Sequence, residues 1–404
     1  MTKHQIIIVG GGAAGIATAS SLLSRDASLD IAIIEPSDQH FYQPGWTMVG
    51  AGIFTKGQTV RSTDSAWPSG IKRIKGAVAT FSPDKNNIIL EDGAEVLYEY
   101  LVVAAGLKLD WGAIEGLENT LGKNGVTSNY RFDLAPYTWE LVQKMQGKTA
   151  IFTQPPMPIK CAGAPQKAMY LSCDAWLKAG KLSGIEVSFC NAGPVLFGCA
   201  PYVPPLMEYV KKYDISLDFG HNLVKIDGPN RKAWFKVTKD GEDSQIVERK
   251  FDMIHVCPPQ CAPDFIKDSS LSGAGGWVDV DQATLQHTAY ENVFGLGDVT
   301  STPNAKTVAA ARKQAPIVAQ NLIAKIRGQS LAPLYDGYGS CPLTVEKGKI
   351  ILAEFGYGGK VMPTFPWDST KPRRAAWFLK KSILPWVYWN VMLKGREWLT
   401  KTTA

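Results

Sequence analysis

The chain has 404 residues, of which 45% are hydrophobic and 20% charged, and its formal net charge is +6. This length predicts more than one globular unit, and the dispersed lysines and arginines argue against a nucleic-acid-binding arm. No apolar run reaches the roughly 18 uninterrupted residues of a membrane-spanning helix, and the 5 histidines lack metal-ligand spacing, so we expect no metal site.

The N-terminal region predicts a doubly wound α/β unit. An apolar run at 5–9 leads through a glycine turn into the small-residue segment 13–23, and a second apolar run at 31–34 ends at Glu35. Because the order is strand, turn, helix, strand, we expect a parallel sheet. A strand that begins so early leaves no room for a signal peptide, and we expect none.

The glycine turn predicts a dinucleotide site. Gly10, Gly12 and Gly15 form GxGxxG, a pattern that permits a tight turn and brings pyrophosphate to a helix N-terminus. Glu35 follows the second strand, where its carboxylate can accept a hydrogen bond from a ribose 2′-OH and would repel a 2′-phosphate. The alternative is a plain glycine turn beside an exposed acid. The predicted contacts are Gly10, Gly12, Ala13, Ala14, Gly15, Glu35 and Gly106.

The middle of the chain predicts a second α/β unit. Segment 78–103 alternates as antiparallel strands and returns to the first sheet before Gly106. A strand at 148–152, a helix at 165–179 and a strand at 185–190 then repeat the earlier order. We therefore expect a second Rossmann-like domain.

A late strand indicates which dinucleotide is bound. Residues 292–295 form an apolar strand that leads to Gly297 and Asp298. In flavoproteins with two dinucleotide-binding domains, this aspartate binds the ribityl chain, and the next helix, near Lys306 and Thr307, directs its amides at the isoalloxazine. A simple Gly-Asp turn is the alternative, but the early and late motifs occur in the order that FAD requires. FAD is the predicted cofactor.

The second unit does not look like an NADH site. It has Gln154-Pro-Pro-Met-Pro158 where a nicotinamide-binding domain has glycines, and prolines cannot donate amides to a pyrophosphate. A small reductant is therefore expected instead of NADH. Cys161 follows at the start of a helix, between Lys160 and Lys167, and each of these features lowers a thiol pKa.

Three strings resemble sulfide:quinone oxidoreductases, particularly the branch that contains the mitochondrial enzyme. They are Lys160-Cys-Ala-Gly-Ala-Pro-Gln-Lys167, Gly276-Trp-Val-Asp-Val-Asp281 and Tyr335-Asp-Gly-Tyr-Gly-Ser-Cys-Pro-Leu343. The resemblance implies that Cys161 and Cys341 bracket the flavin on the face opposite the quinone and relay electrons from sulfide through a disulfide or persulfide.

The resemblance implies roles for further residues, and the chain departs from the family pattern at one place. It implies FAD contacts at Gln43, Val78 and Lys306. Other branches have a third redox cysteine, but this chain has only Ser128 in that region, so a two-cysteine mechanism is expected. The remaining cysteines, at 173, 190, 199, 257 and 261, are expected to be packing residues.

The C-terminus predicts attachment to a membrane surface. Residues 375–397 combine aromatic, aliphatic and basic side chains and contain three of the 12 tryptophans, and we interpret them as a pair of amphipathic helices broken at Pro385. A quinone would then enter from the lipid, and Phe365 and Trp367 are predicted contacts of its ring. The alternative is an aromatic dimer interface or a core-packing helix.

The predicted function is a sulfide:quinone oxidoreductase on a peripheral, monotopic membrane protein. Its partners are sulfide, ubiquinone or another membrane quinone, the membrane surface, and a small sulfur acceptor such as sulfite, glutathione, cyanide or polysulfide. A flavocytochrome c sulfide dehydrogenase-like flavin subunit would carry an export signal and lack the basic aromatic tail. A non-turnover flavin-bound sulfur sensor would not need paired cysteine motifs. The sequence leaves open whether the chain forms a homo-oligomer.

The predicted fold class is α/β, with two Rossmann-like dinucleotide-binding domains of the disulfide-reductase-like flavoprotein kind. The predicted FAD-binding domain comprises residues 1–110 and a return segment at 256–330. Residues 111–255 form the second Rossmann-like domain, and 331–404 the C-terminal quinone and membrane-association region.

Overall fold

The computed structural model describes residues 2–238 and 243–400. Three parts of the predicted domains lie outside the described residues. They are residue 1 of the FAD-binding domain, residues 239–242 of the second domain and residues 401–404 of the C-terminal region.

The first sheet is mainly parallel and buried on both faces. Strand Thr2–Val9 pairs in parallel with Ile31–Ile34 on one side and with Glu95–Val103 on the other. Ile6, Ile7 and Ile8 have no exposed surface, because helices and loops cover both faces of the sheet. The strands, in order, are Lys72–Ile74, Ile31–Ile34, Thr2–Val9, Glu95–Val103, Asn87–Leu90 and Val78–Ser82, with Val293–Gly295 also paired to Glu95–Val103.

The late strand returns the chain to this first sheet. Val293–Gly295 pairs in parallel with Leu101–Val103, although the second sheet lies between them in sequence. Helix Ala13–Arg25 and helix Val308–Ile326, which follow the early and late strands, share one apolar cluster with the sheet. Two distant sequence segments therefore end at the same edge of one sheet.

The second sheet is parallel throughout, and with the first it confirms the predicted α/β class with Rossmann-like units. Its central strand, Thr149–Gln154, pairs with Glu186–Asn191 and Met253–His255. Helix Ala164–Lys178 follows that central strand and packs with Phe152 in the apolar cluster of this unit. The strands, in order, are Val126–Thr127, Met253–His255, Thr149–Gln154, Glu186–Asn191 and Ile215–Phe219.

Antiparallel pairs complete the framework. Strands His221–Asp227, Lys232–Val237 and Gln245–Lys250 form a separate sheet beside the second unit. Shorter pairs join Gln39–Phe41 to Val60–Ser62, and Lys108–Leu109 to Gln260–Cys261. The other described α-helices that precede the C-terminal region are Trp46–Val49, Thr63–Ala66, Ala135–Lys144, Val203–Lys212 and Asp264–Lys267.

A C-terminal hairpin, formed by Gly339–Glu346 and Lys349–Phe355, separates two environments. Successive side chains on a strand point to opposite faces. Cys341 therefore faces the apolar cluster of the second unit, whereas Pro342 and Glu354 face a cavity that extends toward the C-terminus. The hairpin thus presents a thiol on one face and a carboxyl on the other.

The last helical region, residues 374–400, is called the tail here, and it differs from the expected broken pair of helices. Arg374–Phe378, a π-helical turn Leu379–Ile383, and Leu384–Asn390 follow one another without a break. Pro385 does not interrupt the run, because it lies in the first turn of the last helix, where its missing N–H is not needed. None of the described helices combines the length and apolar character that a membrane crossing requires.

Much of the tail packs inward instead of facing outward. Trp389, Met392 and Leu393 are buried in the core of the first sheet, and Lys380 is also buried. The side chains that remain exposed are Arg374, Ala375, Phe378, Lys381, Ser382, Trp386, Asn390, Lys394, Arg396, Trp398 and Leu399. The tail therefore contains both the core-packing helix that the sequence offered as an alternative and an exposed apolar and basic face.

Candidate active site

The glycine turn after strand Thr2–Val9 leaves no room for side chains at two positions. Gly10 has a positive φ of 104°, and a Cβ there would come 2.6 Å from the Ala104 carbonyl oxygen. A Cβ on Gly15 would come 1.9 Å from the Gly10 carbonyl oxygen. These contacts require glycine, and they seat helix Ala13–Arg25 directly on the strand end.

Glu35 lies beside this turn, as the fingerprint predicts. Its two carboxylate oxygens accept hydrogen bonds from the backbone N–H groups of Gly11, at 2.8 Å, and Ser37, at 2.7 Å. Nothing lies within 4 Å of a Cβ built on Gly12 or Gly106. An acidic side chain therefore stands at the rim of an open, backbone-lined groove, which fits the adenosine half of a dinucleotide.

A large cavity lies between the late strand, the second unit and the tail. Asp298, Lys306 and Thr307 line it, as the sequence predicted, and the Thr307 hydroxyl caps helix Val308–Ile326 by accepting from the Ala310 N–H at 3.1 Å. Burial raises the pKa of Asp298, while Lys306 and Lys160 oppose that change. The amides at this helix N-terminus are available to an electron-rich ring edge.

Unpartnered buried polar atoms on the cavity wall fit a flavin ring. The Trp46 indole N–H, the Thr47 hydroxyl and both amide atoms of Asn129 have no hydrogen-bond partner among the described residues. Buried polar groups are nearly always satisfied. A planar group with polar edges, such as an isoalloxazine, would supply those partners, so the residues present fit FAD.

The paired thiols meet at the wall of this cavity: Cys161 lines it, and Cys341 lies behind Cys161 on the other face of the hairpin. The Cys161 and Cys341 sulfurs lie 3.3 Å apart, which is longer than the roughly 2.05 Å of a disulfide bond. Cys161 has a φ of 80°, a strained conformation for a non-glycine residue that is concentrated at functional sites. A Cβ on Gly163 would come 2.6 Å from the Cys341 sulfur, so glycine is required where the two segments of the chain meet.

The surroundings make the two thiols unequal. A hydrogen bond from Cys341 holds the Cys161 pKa well below its ordinary value; burial opposes this, and the Lys167 ammonium, 3.1 Å from the Cys161 sulfur, adds to it. The hydrogen bond to Cys161 and burial raise the Cys341 pKa well above its ordinary value. We therefore assign the thiolate to Cys161 and the proton to Cys341.

The pKa values of two lysines next to the thiols shift in opposite directions, although burial lowers both. Burial would lower the Lys167 pKa, but Cys161 and Cys341 raise it above the ordinary value. Burial and the Lys167 charge together lower the Lys380 pKa to about 7, against the opposing effect of the thiols. Lys380 donates to the Pro44 carbonyl at 3.0 Å. The sequence treated Lys380 as a lipid-facing base, and only the packed tail reveals its inward position.

The other predicted contacts separate into two groups. Gln43 lines the cavity and accepts a hydrogen bond from the Lys160 ammonium at 2.8 Å, and Phe365 also lines it. Trp367 stacks on Phe365, with ring centroids 4.4 Å apart, but packs behind it against the hairpin. Val78 is buried at the edge of the first sheet and lines a separate recess with Phe265. Their roles remain predictions.

The region of the absent third cysteine is closed and polar. Ser128 is fully buried, and its hydroxyl accepts from the Tyr130 N–H at 3.1 Å. Cys257 packs beside Tyr130, and burial raises the Cys257 pKa to about 12, as it does that of Cys190. Such thiols are poor nucleophiles. Among the described residues, no group of three His, Cys, Asp or Glu side chains could hold a metal ion.

Sequence reasoning did not single out several cavity residues. Asn129 and Tyr130 follow directly after Ser128, and Tyr338 lies inside the string that contains Cys341, so their neighbours in sequence were the available signal. Glu354 gave no signal, because only strand alternation in the folded hairpin brings its side chain to the cavity.

Sequence comparisons agree with this geometry. The pyridine nucleotide-disulphide oxidoreductase family matches residues 4–143. A Mus musculus protein with the name sulfide:quinone oxidoreductase, mitochondrial, is 40% identical over 97% of this chain and 87% of its own length. A Dictyostelium discoideum protein of the same name is 44% identical over 99% of this chain and 88% of its own length.

A solved structure shows the same fold. The sulfide:quinone oxidoreductase from Aquifex aeolicus superposes with a TM-score of 0.80, covering 100% of this chain and 97% of that one, at 19% identity. At this identity the likeness concerns the fold alone. The two relatives at 40% and 44% identity carry the assignment of family.

Proposed function

The chain belongs to the sulfide:quinone oxidoreductase family, and from this premise we propose that Cys161 and Cys341 oxidise sulfide and send its two electrons through FAD to a membrane quinone. The protein is an FAD-dependent oxidoreductase. The observation that carries the proposal is the thiol pair, whose sulfurs lie 3.3 Å apart beside Lys167 and of which Cys161 lines a cavity that fits a flavin.

The chemistry requires a good leaving thiolate, which the site supplies. In the oxidised pair, HS⁻ attacks one sulfur of the Cys161–Cys341 disulfide, the S–S bond breaks, one cysteine becomes a persulfide and the other leaves as a thiolate. Leaving groups of lower pKa depart faster. Because the Lys167 ammonium, 3.1 Å from the Cys161 sulfur, stabilises a Cys161 thiolate, the persulfide forms on Cys341.

The pair then returns to its oxidised state in two further steps. A nucleophile takes the sulfane sulfur from the persulfide, and the persulfide proton passes to the remaining cysteine sulfur, which becomes a thiol. The resulting pair, one thiol and one thiolate, reforms the disulfide and releases two electrons and one proton. FAD, when bound, accepts electrons in pairs and passes them to a quinone. The nucleophile is a small molecule of the class that includes sulfite, glutathione, cyanide and polysulfide.

One anaerobic titration tests the donor, the cofactor and the acceptor together. Sulfide added together with sulfite, which accepts the sulfane sulfur, should bleach the oxidised flavin band of the purified holoprotein, because the thiol pair delivers two electrons for each sulfide consumed. Decylubiquinone added afterwards should restore the band. A flavin that sulfide leaves oxidised would contradict the donor, and a reduced flavin that the quinone leaves unchanged would contradict the acceptor.

The exposed face of the tail supports attachment to a membrane surface. Phe378 is 60% exposed and Trp386 is 56% exposed, and basic side chains surround them. Aromatic rings favour the headgroup region, and basic groups favour anionic lipid. The tail also lines the cavity through Leu384, Val387 and Tyr388, so a quinone would pass from lipid to the flavin along this segment.

Point substitutions test this attachment better than deletion, because deletion would remove the buried Trp389 and Leu393 from the core. The double variant Phe378→Glu, Trp386→Glu should no longer float with anionic liposomes. Ile246→Glu is the matched control, because Ile246 is 60% exposed on the antiparallel sheet of the second unit. Flotation of the double variant at the wild-type level would contradict attachment through this face.

A further inference from the structure

Quinone reduction requires a proton that sulfide cannot supply. With a nucleophile Nu that carries no transferable proton, the reaction balances as HS⁻ + Nu + Q + H⁺ → NuS + QH₂. One quinol proton comes with HS⁻, and the other must enter from solvent in each turnover. A group that moves this proton has to line the cavity and also connect to the surface.

Glu354 meets the first condition. Its side chain lies on the face of the hairpin opposite Cys341, and the residue is 3% exposed and lines the cavity with Phe365 and Leu352. A buried carboxyl group is costly unless it is hydrogen-bonded. Its place on the cavity wall therefore calls for an explanation.

A short hydrogen-bond network connects this carboxyl group to the surface. The Tyr338 hydroxyl donates to Glu354 Oε1 at 2.6 Å, and the Thr364 hydroxyl donates to the same oxygen at 2.5 Å. The Thr364 backbone N–H donates to Oε2 at 3.0 Å. Thr364 is exposed, whereas Glu354 is buried. A chain of this kind can pass a proton inward from water.

We propose that Glu354 is the proton-transferring residue for the quinone, supplied from solvent through Thr364 and oriented by Tyr338. The carboxylate takes up a proton that enters at the Thr364 hydroxyl. When two electrons reach the quinone, the Glu354 carboxyl O–H bond breaks, its proton goes to a quinone oxygen, and the carboxylate remains. The other quinol proton derives from HS⁻, so the atoms and charges of the equation balance. This inference rests on the proposed function.

Asp336 accepts the Tyr338 backbone N–H at 3.1 Å on the exposed side of this network, and the other ionisable groups around it are cationic or phenolic. Lys313 lies 5.2 Å from the centroid of the Tyr338 ring, and Arg312 lines the same part of the cavity. Lys380 enters from the tail. In the described part of the cavity wall, Glu354 and Asp298 are the carboxyl groups, and Asp298 lies at the predicted ribityl position. Glu354 is therefore the carboxyl group placed for the quinone.

The test separates the two half-reactions of the holoenzyme. In Glu354→Gln, flavin bleaching by sulfide should proceed at the wild-type rate, whereas reoxidation of the sulfide-reduced enzyme by decylubiquinone should slow by about 100-fold. Stopped-flow absorbance measures both rates. Glu346→Gln is the matched control on the same hairpin, because Glu346 pairs with Lys212 and Lys349 away from the cavity. It should leave both rates unchanged.

A second variant distinguishes a role of Glu354 in proton transfer from a role in holding the loop that contains Thr364. Tyr338→Phe keeps the ring and the carboxyl group but removes one hydrogen bond, and it should slow reoxidation by about 10-fold. In wild type, reoxidation should slow as pH rises and in D₂O, and both effects should disappear in Glu354→Gln. Wild-type reoxidation rates in both variants would overturn the role of Glu354. Failure of the wild-type enzyme to reduce the quinone would instead overturn the proposed function.

Discussion

The glycine turn after strand Thr2–Val9 and the turn that carries Cys161 after strand Thr149–Gln154 occupy equivalent places in two Rossmann-like units. Each joins a buried parallel strand to a helix at the carboxyl edge of a sheet. The first turn is short and open, with backbone amides at its surface. The second contains prolines and ends at a cysteine with a φ of 80°.

The difference between the two turns lies in what approaches them. At Gly12 nothing lies within 4 Å of the position that a Cβ would occupy, which leaves room for a ligand. At Gly163 the hairpin residues Cys341 and Leu343 approach so closely that a Cβ would come within 2.6 and 2.2 Å of them. One supersecondary unit thus serves a cofactor in the first domain and a redox pair in the second, because protein atoms fill the second cleft.

The largest expected effect comes from the second turn. Cys161→Ser should lower the rate of sulfide-dependent flavin bleaching by about 10³-fold or more, because a serine hydroxyl can neither form a disulfide nor leave as a thiolate. FAD content should not change. Cys261→Ser is the control, since Cys261 is half-buried on a separate strand pair and lies outside the cavity. Complete, rapid bleaching in Cys161→Ser would refute the thiol relay.

A substitution in the first turn should weaken FAD binding instead of the thiol chemistry. Gly15→Ala gains about 1 kcal/mol of helix propensity, but its Cβ would come 1.9 Å from a backbone oxygen that cannot rotate away. Overpacking of this kind costs about 1–3 kcal/mol, so the variant should bind FAD more weakly by about 10-fold to 100-fold. Absorbance of the purified protein measures FAD retention. Gly184→Ala, where a Cβ has open space, is the control, and full FAD retention by Gly15→Ala would contradict the requirement for glycine.

A moderate effect should follow from removing the charge beside the thiols. Lys167 lowers the Cys161 pKa, so Lys167→Met should raise that pKa toward the ordinary value of about 8.5. Because re-forming the disulfide requires a Cys161 thiolate, flavin bleaching by sulfide should slow by about 10-fold at pH 7 and recover as pH rises above 9 and ionises the thiol. Rates measured across pH check the sign. Lys167→Arg should retain most of the rate at pH 7, and a pH profile unchanged in Lys167→Met would count against the charge effect.

The smallest expected effect concerns NADH. The second turn offers prolines at 155, 156 and 158, which have no N–H to donate to a pyrophosphate. NADH should therefore bleach the flavin no faster than buffer does under anaerobic conditions, while sulfide bleaches it in the same sample. Rapid bleaching by NADH would show that the second cleft still admits a dinucleotide, and it would remove the distinction between the two turns.

Several features could be predicted from local sequence because they depend on short spacings. The fingerprint at Gly10, Gly12 and Gly15, the late Asp298, and the setting of Cys161 between two lysines each involve residues close in the chain. Backbone sterics and capping act over this range. The α/β class, the two parallel strands of the first unit and the start of helix Val308–Ile326 therefore followed from pattern alone.

The tail could not be predicted from its composition. Its aromatic and basic residues suited a lipid-facing helix pair, yet Trp389 packs against His40 and an Arg61 guanidinium, and Lys380 turns inward to Pro44. Amphipathic patterns show that a helix has an apolar face, but they do not specify what covers that face. Only the neighbouring sheet decided which side chains became core.

What the sequence determined by itself was the glycine turn, the α/β class with Rossmann-like units, and the place of Cys161 between two lysines at the start of a helix. Tertiary structure alone decided the 3.3 Å approach of the Cys341 sulfur, the inward Lys380 and the cavity position of Glu354. The physical reason is that local motifs fix backbone geometry within one strand and one turn. A carboxyl group on the far side of a hairpin meets its cavity only through strand register and the packing of distant segments.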